Sequence, residues 1–217
     1  MQHVHQASQD DLAARLDRLE STEQIRQLAS KYALALDMRD IDALVGLYVE
    51  NVRIDKQTSG RLALKQVFCA VVRSFTASVH HIGNHIIEFD DPDNAHGLVY
   101  CRCEHEVGDK WVPVYLYYLD LYTRVEGGWK FKRRVPCELY GADMLERPTG
   151  PKKLRWPGHE PADGAWHRHF PSWTEFWSNP ASDATAPAAS AARDAFLDTM
   201  RRGERRPMPP DFSWMKD

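Results

Sequence analysis

The segments His96-Gly-Leu-Val-Tyr-Cys-Arg-Cys-Glu-His-Glu-Val107 and Trp111-Val-Pro-Val-Tyr-Leu-Tyr-Tyr-Leu-Asp-Leu-Tyr-Thr-Arg-Val125, joined across Gly108-Asp109, decide the fold. In the first, Val99, Cys101, Cys103 and His105 alternate with Tyr100, Arg102, Glu104 and Glu106. Successive strand side chains point to opposite faces, so one row meets a core and the other does not. The short gap reads as a hairpin turn, which makes the two strands antiparallel neighbours. Working outward, His80 to Phe89 precedes Asp90-Asp-Pro-Asp93, and Trp129 to Cys137 follows Glu126-Gly-Gly128. Both read as further strands of the same meander.

Upstream the period changes. Leu12, Leu16, Leu19, Ile25 and Leu28 recur at helical spacing with charges between them. Ser21-Thr-Glu-Gln24 has the pattern of a capping box, which predicts a break and a restart there. The restarted helix carries Ile25, Leu28, Ala29, Tyr32 and Leu36 on one stripe. Met38 to Val45 reads as a third short helix with Asp40 as its N-cap. Asn51-Val-Arg-Ile-Asp55 reads as a short strand, Thr58-Ser-Gly60 as a turn, and Arg61 to Thr76 as a helix. Helices first and a curved antiparallel meander afterwards imply an α+β domain over residues 10–145. Such a sheet wraps into an open cone whose mouth suits a small molecule.

Composition bounds the rest. Hydrophobic residues make up 43% and charged residues 27% of the 217, which is globular composition. A formal net charge of −3 gives no basic field for nucleic acid. No apolar run is long enough to span a membrane, and the first ten residues lack the apolar centre of a signal peptide. Cys69, Cys101, Cys103 and Cys137 follow neither a metal-binding nor a dense disulfide spacing, so a cytoplasmic location is expected. After Leu145 the chain turns rich in proline and aromatics. Trp156, Trp166, Phe170, Trp173, Phe176 and Trp177 need a surface to cover. Residues 146–180 are therefore expected to lie on the core or on a neighbouring subunit, as an interface or a lid. Residues 181–217 read as a spacer and a loose tail.

The chemistry concentrates in Tyr32-Ala-Leu-Ala-Leu-Asp37 and Ser78-Val-His80-His-Ile-Gly-Asn84. A carboxylate that orients an imidazole, with a phenol nearby, suffices for proton transfer without a cofactor. Tyr32 and Asp37 are five positions apart, about 140° round an ideal helix. They can face one pocket only if the helix ends or bends at Asp37. A carboxylate at a helix C-terminus is also disfavoured by the dipole, which points to a role beyond local structure. His80, His81 and His85 do not converge on one strand face, so no metal site is expected.

These residues resemble a known family. Residues 10–140 are similar to the SnoaL-like branch of the nuclear transport factor 2-like superfamily, a cone-shaped α+β barrel. Glu23-Gln-Ile-Arg-Gln-Leu-Ala-Ser-Lys-Tyr32 with Asp37 resembles the helix that supplies Tyr and Asp in bile acid 7α-dehydratases. Hexachlorocyclohexane dehydrochlorinases use the same Asp position. His80 falls where those enzymes carry their catalytic histidine, and Gly128-Trp-Lys-Phe-Lys132 resembles the last-strand signature. Cys103 stands where the resemblance to the bile acid enzymes implies a carboxylate. The superfamily also holds scytalone dehydratases, polyketide cyclases, ketosteroid isomerases, formaldehyde-releasing lyases of lignin-derived diaryl diols, and non-enzymes. Fold alone does not choose among them.

The resemblance and the residues together predict a cofactor-independent lyase. Its expected substrate is bulky, hydroxylated and apolar, steroid-like or diaryl, and it is expected to lose water or a small aldehyde. His80 and Asp37 are the expected catalytic pair, with Tyr32 as proton donor or oxyanion partner. Tyr100, Arg102, Tyr115, Tyr117, His81 and Arg134 are candidates for substrate binding, the last near the cone mouth. On the third strand Tyr115 and Tyr117 share one face, Tyr118 and Asp120 the other, and the alternation alone does not say which is inside. An isomerase or cyclase, and a non-catalytic binding module, are the competing expectations. Relatives imply a homo-dimer or trimer.

Overall fold

Four strands lie side by side in sequence order: β1 (Ala77–Phe89), β2 (Asn94–Val107), β3 (Lys110–Val125) and β4 (Gly128–Gly141), each antiparallel to the next. This is the meander expected from the alternation and the turns. The computed structural model describes residues 9–165 and 169–178. The β3–β4 hairpin turns through Glu126 and Gly127, both at positive φ (52° and 78°), the geometry that matches the twist of the flanking strands. Ile82/His85, Tyr115/Leu116 and Leu121/Tyr122 mark register shifts, and such bulges bend a sheet. The result is an open curved sheet with helices against its inner face.

The helix before the sheet is longer than expected. α1 runs unbroken over Gln9–Asp37. Ser21 does not cap a restart, because its hydroxyl accepts a hydrogen bond from Arg124 Nη2 at 2.8 Å, and Thr22 bonds back to the Arg18 carbonyl. Ile25, Leu28, Ala29, Tyr32 and Leu36 are buried on the sheet, whereas Leu12, Leu16 and Leu19 are exposed. α1 stops at Asp37 in a Schellman arrangement: Asp40 N–H donates to Ala35 O and Arg39 N–H to Leu36 O. Arg39 takes the left-handed position (φ 60°) that glycine usually fills. α2 (Ile41–Gly46) then starts from Asp40, whose side chain accepts from Ala43 N.

Two local expectations change. Asn51 to Asp55 forms no strand; it makes one bridge, Arg53 to Ser59. Asp55 Oδ1 accepts from the backbone N–H groups of Gln57 and Thr58, folding the chain back before a ladder can grow. The helix after Gly60 is shorter than expected: α3 covers Arg61–Val71 and a single tight turn covers Val72–Ser74.

The sheet belongs to a unit of residues 1–164, and residues 165–217 form a second. Within the first, the chain beyond β4 returns to the sheet, with Gly141 bonded to Lys153 and Arg155. Trp156 lies edge-on to His105 (5.1 Å between ring centres) and Phe75 (6.4 Å). In the second unit, α4 (Pro171–Ser178) carries Trp173, Phe176 and Trp177, all solvent-exposed. Trp166 and residues 181–217 lie outside the described residues. No helix among the described residues is long and apolar enough to cross a membrane.

Candidate active site

The end of α1 and the start of β1 meet through one carboxylate. His80 Nδ1–H donates to Asp37 Oδ1 at 2.7 Å, and the His80 backbone N–H donates to Oδ2 at 2.7 Å. Ser78 Oγ–H donates to Oδ1 at 2.8 Å. Tertiary contact thus resolves the misfit of an acid at a helix C-terminus: strand donors surround it. Burial pushes the Asp37 pKa up, but the hydrogen bonds and the charge of His80 outweigh it and hold the carboxyl below the ordinary value. The side chains are almost inaccessible, 5% exposed for His80 and 11% for Asp37. With Nδ1–H committed to the carboxylate, the lone pair of His80 sits on Nε2, as a general base requires.

β1 reaches this geometry through its bulge. His80 pairs with Cys103 and Ile82 with Cys101, but the next pair is His85 with Val99. Gly83 and Asn84 are absorbed between, so the alternation resets. His80 and His85, five positions apart, therefore face the same inner side, while His81, paired with Arg102, faces away and is exposed. Simple alternation would have put His80 and His85 on opposite faces.

The inner row of β2 and β3 contains Val99, Cys101, Cys103 and His105 with Val112, Val114, Leu116, Tyr118, Asp120 and Tyr122. Tyr100, Arg102, Tyr115 and Tyr117 occupy the other face, as the pairs Tyr100–Tyr117 and Arg102–Tyr115 require. There Tyr115 stacks on Tyr140 and Arg102 on Tyr115. Of the two faces that alternation left open, these four substrate-binding candidates and His81 occupy the one turned away from His80.

Arg134 is not at a mouth but in the interior. Its Nε and Nη2 donate to Asp120 Oδ1 and Oδ2 at 2.8 and 2.7 Å, and the two side chains are 1% and 0% exposed. Tyr122 Oη–H donates to Asp120 Oδ2 at 2.7 Å, and His85 Nε2 meets Tyr122 Oη at 2.9 Å. The guanidinium carbon lies 4.2–4.4 Å from the ring centres of Tyr32, Tyr118 and Phe131. Its remaining nitrogen, Nη1, is buried with no hydrogen-bond partner among the described residues. Burial opposes the charge of Arg134, and the neighbouring Asp120 outweighs it, so the guanidinium stays charged.

Tyr32 is buried between Phe68, Tyr118 and Phe131. Burial raises its hydroxyl pKa to about 12, against the pull of Arg134, so the phenol keeps its proton. His105, which spacing did not single out, has its ring centre 5.6 Å from that of His80 and perpendicular to it. Its Nδ1–H donates to Val112 O at 3.3 Å, and burial, with the neighbouring His80, lowers its pKa to about 4. Its place in the inner row after Cys103 was the available signal. Cys101 and Cys103 are free thiols with sulfurs 3.5 Å apart, and the hydrogen bond with Cys101, together with burial, keeps Cys103 protonated. Among the described residues no group of three or more His, Cys, Asp or Glu side chains is arranged to hold a metal ion.

Comparison with known proteins agrees with this architecture. An uncharacterized protein of Mycobacterium tuberculosis is 30% identical over 132 residues, 57% of this chain and 86% of the relative. A candidate scytalone dehydratase from Novosphingobium aromaticivorans superposes with a TM-score of 0.53 at 25% identity, covering 66% of this chain and 97% of that one. A type 2 hexachlorocyclohexane dehydrochlorinase superposes with a TM-score of 0.56 at 22% identity, over 67% and 99% of the two chains. The SnoaL-like domain pattern matches residues 17–135. The protein therefore belongs to the SnoaL-like family, within the nuclear transport factor 2-like superfamily.

Proposed function

We propose that the protein is a cofactor-independent lyase that uses His80, held by Asp37, as its general base. The observation that carries this reading is the 2.7 Å bond between His80 Nδ1 and Asp37 Oδ1 at the end of α1. A carboxylate in that position fixes the tautomer and stabilises the imidazolium that forms when Nε2 takes a proton. Tyr32, protonated up to about pH 12, serves as a hydrogen-bond donor to a developing oxyanion or a departing hydroxyl. The surrounding Tyr32, Phe68, Tyr118 and Phe131 suit a bulky, largely apolar substrate with few oxygens, steroid-like or diaryl.

The same groups serve two bond changes. In a dehydration His80 takes a C–H proton, the C=C bond forms, and hydroxide leaves, protonated to water. In a retro-aldol cleavage His80 takes an O–H proton, a C=O bond forms on that oxygen, and the C–C electron pair passes to a carbon that is then protonated. The resemblance to dehydratases and dehydrochlorinases, both eliminating enzymes, supports the first as the leading form. His80→Ala and Asp37→Asn are the test, with turnover followed on panels of steroids and diaryl diols. The expected loss is on the order of 10³-fold in each. Near-wild-type rates in both variants on any accepted substrate would end the proposal. Product mass separates loss of water, release of an aldehyde, and the unchanged mass of an isomerase or aldol cyclase.

A further inference from the structure

Behind the Asp37–His80 pair stands a second layer of donors whose direction is fixed. Arg39 Nη1 donates to Ser78 Oγ at 3.0 Å, and Ser78 Oγ donates to Asp37 Oδ1 at 2.8 Å. A guanidinium only donates and a serine hydroxyl has one hydrogen. With Arg39 on its lone pair, the buried Ser78 hydroxyl has its hydrogen left for the carboxylate. Asp37 then carries three donors: Ser78 Oγ–H and His80 Nδ1–H on Oδ1, and His80 N–H on Oδ2.

Arg39 is held in place from several sides. The same Nη1 reaches Leu36 O at 3.0 Å and Asp37 O at 3.3 Å, and Nη2 reaches Phe75 O and Thr76 O at 3.4 Å. Its backbone stays in the left-handed region (φ 60°), a conformation unfavourable for a non-glycine residue. One residue thus ties the last carbonyls of α1 to the segment entering β1, the two pieces of chain that carry Asp37 and His80. The other titratable groups facing the pair are Cys103 and His105 of β2.

We propose that Ser78 and Arg39 are positioning residues of the dyad: Arg39 fixes the Ser78 hydroxyl as a donor to Asp37, which sets the basicity of His80. The physical consequence has a definite sign. Ser78 draws negative charge from the oxygen that His80 uses. Without that donor the carboxylate attracts the imidazolium more strongly, and the His80 pKa rises.

The test reads the His80 ring directly by NMR titration of the full chain, the resonance being identified by its loss in His80→Gln. Ser78→Ala is expected to move the His80 midpoint up by about half to one pH unit, since a hydrogen bond to a charged group is involved. Ser78→Thr, which keeps the hydroxyl, should titrate as the wild type. Arg39→Met should move the midpoint when Ser78 is present and by little in Ser78→Ala. If Ser78→Ala does not fold, Ser78→Cys, a weaker donor, should give a smaller shift of the same sign. An unchanged midpoint in the folded Ser78 variant overturns the proposal, as does an equal Arg39→Met shift in both backgrounds. The inference rests on the lyase reading only for its role in turnover, where the acid limb of kcat/KM should follow the NMR midpoint. A shifted midpoint with no turnover of any panel substrate would sink the lyase reading and leave the positioning intact.

Discussion

Two carboxylates against the same face of the sheet are held by different kinds of partner. Asp37 sits at a helix end and accepts from Ser78 and twice from His80; Asp120 sits in mid-strand and accepts from Tyr122 and twice from Arg134. Both are saturated with donors, so the carboxylates alone do not distinguish them. Their partners do. An imidazole can gain and lose a proton near neutral pH, whereas a guanidinium cannot. The first pair is therefore equipped to move a proton, the second only to hold a positive charge in the interior. Their rows are also well separated: His80 pairs with Cys103 and Asp120 with Gly97, six residues along β2, or about 20 Å.

Turnover separates the two centres most strongly. His80→Ala should lower turnover on the order of 10³-fold while leaving stability within about 1 kcal/mol, because its ring is one partner of an acid that keeps other donors. Asp120→Asn should do the reverse in kind. It leaves the buried Arg134 charge without its counter-ion and should destabilise the fold by about 3–5 kcal/mol in urea unfolding. If Asp120→Asn were stable and inactive instead, the Arg134 centre would belong to the chemistry as much as the dyad does.

How far the sequence discloses each centre follows from how local its causes are. The four strands were legible because alternation and turn residues act within a few positions, and the dyad because an acid at a helix end and a histidine at a strand start are odd enough to notice. The face of His85 was not, since one bulge at Gly83-Asn84 inverts the alternation and nothing in those two residues demands it. Continuity of α1 through Ser21 depends on Arg124, 103 positions later. Arg134 looked like a rim residue because its partner Asp120 lies on another strand, and only the β3–β4 register brings them opposite. Arg39 at positive φ had no sequence signal at all.

Acid should expose a difference of intermediate size. Burial, above all, lowers the pKa of His105, beside the dyad, and of His85, beside Tyr122, from 6.5 to about 4. Between those values the unfolded chain binds protons that the folded chain refuses, so stability falls as pH drops from about 6.5 to 4, by up to about 3 kcal/mol for each ring. Asp37, with its pKa lowered, adds stability above its ordinary value of 3.8 that is lost only below it, outside this window. Urea unfolding at pH 7 and 4.5 should show a steep slope in the wild type and a shallower one in His105→Gln or His85→Gln. Equal slopes in all three would mean that neither ring is kept neutral by the fold.

The smallest perturbation sharpens the separation most. Gly97 lies under the Tyr122 ring, and a Cβ there would stand 2.7 Å from Ile86 O, 3.0 Å from Tyr122 Cε2 and 3.2 Å from Tyr122 Oη. Backbone cannot yield as a flexible side chain would, so Gly97→Ala should cost about 2 kcal/mol and push Tyr122 off Asp120 and His85. The dyad, about 20 Å away along β2, shares none of those contacts. Its His80 midpoint by NMR should therefore stay where it is while the His85 midpoint rises toward 6.5. A His80 midpoint that moved in step with His85 would show one coupled network across the sheet, and the division of labour between Asp37 and Asp120 would have to be abandoned.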